Sequence, residues 1–156
     1  TAARGIIDRM SAGRPDGTVL DHLGVAVRSV QDRVALYRDI LGLDLTSVEE
    51  VEGEKVRVAM LPAGRTRIEL VEPLSDDSTV ARFIERRGEG IHHICFEVAD
   101  LDAAMKRFGD AGLVPAGETG RPGTEGSRIA FIHPKGTGGI LIELRETSDP
   151  SRRPAD

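Results

Sequence analysis

The sequence predicts an α+β fold in which two βαβββ modules pair around a shared cleft. Three observations lead there. A pattern recurs at an interval of about 71 residues, each repeat opens on a short alternating strand that carries a histidine, and each such strand is followed by a capped amphipathic helix and further strand-like runs.

The first repeat begins at Leu20-Asp21-His22-Leu23-Gly24-Val25-Ala26-Val27, whose branched and apolar residues favour a strand. Ser29 follows as a helix cap, because its hydroxyl can accept from the free N–H groups of a first turn. Val30, Val34, Tyr37 and Leu41 then recur near helical spacing, and Gly42 supplies the left-handed residue that closes the helix. Strand-like runs follow at 45–49, 55–61 and 67–71, separated by the turn formers Glu52-Gly53-Glu54 and Pro62-Ala63-Gly64-Arg65. Val80, Phe83 and Ile84 predict a linking helix over about 76–87 that stops at Gly88.

The second repeat begins at Gly90-Ile91-His92-His93-Ile94-Cys95-Phe96-Glu97-Val98. Strict alternation puts His93, Cys95 and Glu97 on one face and His92, Ile94, Phe96 and Val98 on the other. Asp100 caps a helix striped by Leu101, Ala104, Met105 and Phe108, which Gly112 ends, and later strands fall at 128–133 and 139–144. The register is consistent: His22 to His93 and Ser29 to Asp100 are each 71 residues, Gly42 to Gly112 is 70, and Glu69 to Glu143 is 74, the two glutamates lying in a shared Ile-Glu-Leu. The expected division is an N-terminal extension 1–17, one domain 18–146 with modules about 18–73 and 90–146, and a flexible tail 147–156. The extension holds one helical turn around Ile6, Ile7 and Met10 before the breakers Gly13, Pro15 and Gly17.

Composition narrows the function. The chain of 156 residues is 39% apolar, with four Phe and no Trp, enough for one core of Val, Ile, Leu and Ala. A net charge of −5 predicts no general affinity for nucleic acid or anionic membrane. No apolar run approaches the roughly 20 residues that span a bilayer, and the single Cys95 fits a reducing, cytoplasmic setting.

Each repeat contributes one histidine at the start of its first strand and one glutamate on its last. Pairing the halves about a pseudo-twofold axis would bring His22, Glu69, His93 and Glu143 together. Glu69 has Ile68 and Leu70 as opposite-face neighbours, as Glu143 has Ile142 and Leu144, so both carboxylates point into the same layer. Two facing buried carboxylates repel, and a lone one is costly to bury, whereas a divalent cation resolves both problems. Two imidazoles and two carboxylates suit a borderline ion such as Co²⁺, Mn²⁺, Ni²⁺, Fe²⁺ or Zn²⁺ and leave positions for a chelating substrate; Co²⁺ is the expected ion, with Mg²⁺ also among the alternatives. His92 has the opposite parity and is expected behind the site or in packing.

Two loops complete the reading. Residues 120–126 hold three glycines and Pro122, a hairpin loop able to close over a ligand. His133-Pro134-Lys135-Gly136-Thr137-Gly138-Gly139 joins two strands beside Glu143; Lys135 there can meet a phosphate or carboxylate, and Gly138 and Gly139 admit close backbone approach. Arg86, Arg87, Arg121 and Arg128 complete the local basic patch that an acidic chain needs for an anionic ligand.

From Leu20 to Glu146 the chain resembles the vicinal oxygen chelate superfamily and, within it, the methylmalonyl-CoA epimerases. The resemblance rests on Asp21-His22-Leu23-Gly24-Val25-Ala26-Val27, Glu72-Pro73-Leu74 with Asp77-Ser78, Gly88-Glu89-Gly90-Ile91-His92-His93-Ile94, and His133-Pro134-Lys135 leading through Gly138-Gly139 to Leu141-Ile142-Glu143-Leu144. It implies a divalent ion at the four-residue set, an acyl-CoA substrate, and inversion at C2 through an enolate, with Glu143 and Glu69 carrying the proton. The sequence departs from part of that family: some members have Gln where Glu69 stands, and an acidic base where Val58 aligns. A glyoxalase I-type lyase acting on a glutathione hemithioacetal shares the ligand set and is the enzyme alternative, although such relatives tend toward an Asp-Pro-Asp-Gly turn where this chain has His133-Pro134-Lys135. A ligand-binding resistance protein of the same fold is the non-enzymatic alternative. Exposed sheet edges predict a homodimer.

Overall fold

The computed structural model describes residues 17–149, so the expected turn around Ile6, Ile7 and Met10 and the tail from 150 onward lie outside the described residues. Chain order is β1 (Val19–Ala26), α1 (Val30–Ala35), β2 (Ser47–Val51), β3 (Val56–Ala63) and β4 (Thr66–Pro73), then α2 (Thr79–Arg87), then β5 (Gly90–Val98), α3 (Leu101–Asp110), β6 (Arg121–Pro122), β7 (Arg128–Ile132) and β8 (Ile142–Glu146).

The predicted caps do the work expected of them. The Ser29 hydroxyl accepts from the Asp32 N–H at 3.2 Å and the Asp100 carboxylate from Ala103 at 2.8 Å; Ser78, not foreseen as a cap, accepts from Ala81 at 3.0 Å. α1 widens into a looser turn over Leu36–Ile40 before Gly42, at φ 75°, turns the chain back.

All eight strands join one sheet in the order β2-β3-β4-β1-β5-β8-β7-β6. Read from either edge, the order is the same by module, and the halves meet where β1 runs antiparallel to β5. Each of these central strands pairs in parallel with its module's last strand, β1 with β4 and β5 with β8. One face of the sheet is covered by α1, through Val30 and Val34 on Ala59, Leu61 and Leu70, and by α3, through Leu101 and Ala104 on Val98, Ala130 and Leu144. α2 packs Val80 and Ile84 on Ala26, Val56, Val58 and Val71. Each buried Val, Leu or Ile side chain among these contributes about 1.5–3 kcal/mol. The core therefore fixes the sheet on which the buried polar residues stand.

Three details differ from the sequence expectation. The second strand of the second module shrinks to Arg121–Pro122 and a lone bridge from Pro115 to Ile132, because proline cannot donate to a ladder and the glycines around it favour turns. The last strand starts at Ile142, since Gly138 and Gly139 take φ of 74° and 88° and stay in the loop. Packing also continues past 146: Thr147 is buried and its N–H donates to the Val98 carbonyl at 2.9 Å. No described helix is long and apolar enough to cross a membrane.

Candidate metal centre

The four central strands each deliver one donor: His22 from β1, Glu69 from β4, His93 from β5 and Glu143 from β8. Register brings them together, with Gly24 opposite both Glu69 and His93, and Cys95 opposite both His22 and Glu143. All four side chains are buried, and one donor atom from each lies within 4.8 Å of the others. The His22 and His93 Nε2 atoms are 3.1 Å apart. Glu69 Oε2 is 3.4 Å from both, and Glu143 Oε2 is 2.9 Å from His93 and 3.7 Å from His22.

Donor atoms that share one ion at about 2.1 Å stand about 3.0–3.4 Å from one another. The observed spacings of 2.9–3.7 Å bracket that range, and two imidazoles with two carboxylates are a donor set for a divalent transition metal. These residues can hold a metal ion.

Both histidines sit beside a β-bulge, which corrects the parity reading of His92. In the β1–β5 ladder, Leu20 faces Phe96 and His22 faces Cys95, leaving Asp21 over; Gly24 faces His93 and Val25 faces Ile91, leaving His92 over. An extra residue suspends alternation locally and re-aims its side chain. His92 therefore shares the His93 side: their Nδ1 atoms are 3.0 Å apart, and His92 lines the same cavity, braced edge-on by Phe83 at 4.9 Å between ring centroids. Asp21 does the equivalent in the other half, its Oδ2 2.6 Å from His22 Nδ1. The same structural position thus carries a carboxylate in one module and an imidazole in the other.

Asp21 is itself anchored. It accepts from Arg67 at 2.6 Å and from Arg145 at 3.3 Å, and both arginines reach Glu125 at 3.0–3.1 Å. Burial opposes the charge on Asp21, but the hydrogen bonds from His22 and Arg67 and the Arg145 charge outweigh it and hold the carboxyl far below its usual range. Holding Nδ1 in this way leaves Nε2 of His22 facing the other donors.

Without an ion the cluster is a set of mutual hydrogen bonds. Burial works against a charged His93, but Glu143 and Glu69 raise it to about 9; His22 is raised further still, against burial, by Asp21, Cys95 and the two glutamates. Burial likewise opposes ionised Glu69 and Glu143, and the imidazoles reverse it and lower both. His92 goes the other way, lowered to about 4 by burial and by the neighbouring His93 charge. Burial pushes the Cys95 thiol up to about 12, which suits a small filler beneath His22 rather than a nucleophile.

The cluster opens into a cavity of about 310 Å³ whose other walls include Val56, Val58, Val71 and Phe131. Glu54 and Arg121 also line it, joined by an ion pair of 2.9 Å, with the Arg121 guanidinium 5.0 Å above the Phe131 ring. Glu54 was not singled out by the sequence, where it reads as one of three residues in a turn. The only local signal is Lys55, whose left-handed backbone at φ 55° reverses the chain there. Arg128 is engaged by Asp102 at 3.1 Å and Glu146 at 3.0 Å and does not line the cavity. Lys135 is exposed in the turn Pro134–Gly136, Gly138 is exposed beside it, and Gly139 lines a neighbouring groove.

A paired-module sheet with a buried His-Glu-His-Glu cluster defines a class of protein, and comparison with known families agrees: residues 21–131 match the Glyoxalase/Bleomycin resistance protein/Dioxygenase superfamily. The chain belongs to that superfamily. Among relatives, it is 42% identical over 127 residues to the Bacillus subtilis protein YqjC, covering 81% of this chain and 91% of that one. It is 37% identical over 130 residues to the ethylmalonyl-CoA/methylmalonyl-CoA epimerase of Cereibacter sphaeroides, covering 81% and 96%. Among solved structures it resembles a Streptomyces coelicolor methylmalonyl-CoA epimerase variant in complex with 2-nitronate-propionyl-CoA, with a TM-score of 0.80, 36% identity, and 83% and 97% of the two chains covered.

Proposed function

We propose that this chain is a methylmalonyl-CoA epimerase, which removes the proton at C2 of the acyl group and returns it to the opposite face. The observation that carries the reading is the four-donor cluster opening into a largely apolar cavity that holds a further carboxylate. His22, Glu69, His93 and Glu143 would hold the ion, with cobalt the first candidate. A divalent cation there supplies positive charge beside the oxygens flanking C2, where negative charge develops as the proton leaves.

The chain's own groups must move the proton. Two oxygens that reach one carbon from opposite faces at about 3 Å each stand about 6 Å apart. The cluster-facing oxygens of Glu69 and Glu143 lie closer than that, within 4.8 Å, and both are committed to the imidazoles. We therefore assign one transfer to the expected pair, Glu143 with Glu69 beside it, and the other to Glu54, whose carboxylate lies outside the cluster and is oriented by Arg121. With one group on each face, the proton delivered to C2 comes from the second group and not from the one that took the first, so inversion brings exchange with solvent.

The modules 18–73 and 90–146 act as one unit in this reading. Homodimer formation is supported by the edge position of β2, which carries the exposed Val48, and by the exposed Leu36, Ile40 and Leu41. A cytoplasmic location fits an acyl-CoA substrate and the single buried thiol.

The test is hydrogen exchange at C2 of methylmalonyl-CoA in deuterated water, followed by NMR with and without added Co²⁺. Metal-dependent loss of the C2 proton signal is expected. No exchange, together with turnover of a glutathione hemithioacetal, would transfer the assignment to a glyoxalase-type lyase.

A further inference from the structure

A second groove of about 290 Å³ runs along α2 beside the cavity. Thr79, His92, Pro134 and Leu141 line both spaces, so the groove continues the cavity outward. Its wall is built from Arg82, Arg86 and Arg87, all exposed, with the Arg87 guanidinium 5.8 Å above the Phe83 ring. None of these three takes part in an ion pair among the described residues, whereas the arginines nearest the cluster are all engaged: Arg67 and Arg145 with Asp21 and Glu125, and Arg121 with Glu54. Glu85, on the same helix, does not line the groove. Three uncompensated guanidinium groups in one groove of a chain with net charge −5 make a local anion site.

Dimensions decide which anion. At about 1.5 Å per helical residue, Arg86 and Arg87 stand about 10–12 Å along α2 from Thr79 at the cavity rim. A pantetheine arm has about the contour of four extended residues, on the order of 13 Å. The geometry points to this groove as the seat of the phosphate-bearing arm of a coenzyme A thioester, an inference that rests on the acyl-CoA reading of the cavity. The acyl group reaches the cluster, the uncharged pantetheine passes Thr79 and Leu141, and the phosphates meet the α2 arginines. Gly139, at φ 88° on the opposite wall, keeps that side free of side chain.

The experiment has two readouts on the parent and on the triple variant Arg82→Ala/Arg86→Ala/Arg87→Ala, with Arg107→Ala, on exposed α3 surface, as the charge control. The first is calorimetric binding of free coenzyme A, which needs no catalysis; the triple variant is expected to bind about tenfold or more weakly and the control like the parent. The second is the ratio of KM for methylmalonyl-pantetheine to KM for methylmalonyl-CoA on metal-loaded enzyme, which the triple variant should bring close to one. Parent-like coenzyme A binding by a folded triple variant overturns the groove, as does an equal rise in KM for both substrates. If the parent binds coenzyme A but epimerises neither thioester, the epimerase reading fails and the groove stands on the binding data.

Discussion

Gly24 and His93 occupy the same space up to a single carbon atom. A Cβ on Gly24 would lie 2.0 Å from His93 Cε1 and 2.3 Å from its Nδ1, so only the absence of a side chain lets the imidazole lie over β1, with its Nε2 3.4 Å from Glu69 on β4. Gly24→Ala must displace a ring held between strands, and overpacking of this kind costs about 1–3 kcal/mol. Expected are a lower Tm and at least about a tenfold loss of Co²⁺ affinity, since the displaced group is a donor. Unchanged metal affinity would remove His93 from the ligand set.

Asp21→Asn tests the bulge on the other side. The amide keeps the volume but loses the charge that holds His22 Nδ1. Metal affinity should fall about 10–100-fold, read by competition with a chelating dye, with far-UV circular dichroism unchanged. A parent-like affinity would mean that His22 is oriented by its packing alone.

Much of the centre was legible in the sequence, and the reason is the repeat. A 71-residue interval with matched caps and a shared Ile-Glu-Leu placed His22, Glu69, His93 and Glu143 in corresponding positions, and strand parity put both glutamates in the right layer. Parity failed at His92 because alternation assumes an unbroken ladder, and the bulge that breaks it is a property of the β1–β5 pairing, not of β5 alone. Glu54 comes from a turn of the first module and Arg121 from the two-residue strand β6 of the second, so nothing in either segment signals their ion pair. Arg128 shows the converse: read alone it is a free cation, but β7 sets it beside Asp102 and Glu146.

The metal-free protein should have a stability optimum on the acid side of neutrality. His93, raised from 6.5 to about 9, contributes stability that is complete below pH 6.5 and is lost as pH rises toward 9. Glu69 and Glu143, lowered from 4.5, contribute stability that is present above pH 4.5 and lost on acidification. Urea titrations of chelator-treated protein should peak between about pH 4.5 and 6.5. A stability that rises steadily from pH 6.5 to 9 would refute the assignment. Binding of Co²⁺ at pH 7 should release protons, seen as a buffer-dependent calorimetric enthalpy.

Metal supply should itself stabilise the fold. At a free concentration about 100 times Kd, the gain is about 2.7 kcal/mol, and a rise in Tm should follow. His93→Ala should show little of it, and an equal rise in both proteins would place the ion elsewhere.

Glu54→Gln separates proton transfer from metal holding. Epimerisation should fall about 10²-fold or more, with Co²⁺ affinity as in the parent because Glu54 lies outside the cluster. Full activity in this variant would return both transfers to Glu69 and Glu143.

The β1–β5 seam has a consequence for ancestry. Each half carries one imidazole and one carboxylate, too few to grip an ion, and β1 and β5 cover the edges that a separated half would expose. Two copies of a single βαβββ unit, joined edge to edge about a true twofold, would restore all four donors. The chain therefore has the form of such a dimer held in one polypeptide, where the two copies of one position can differ, as Asp21 and His92 do.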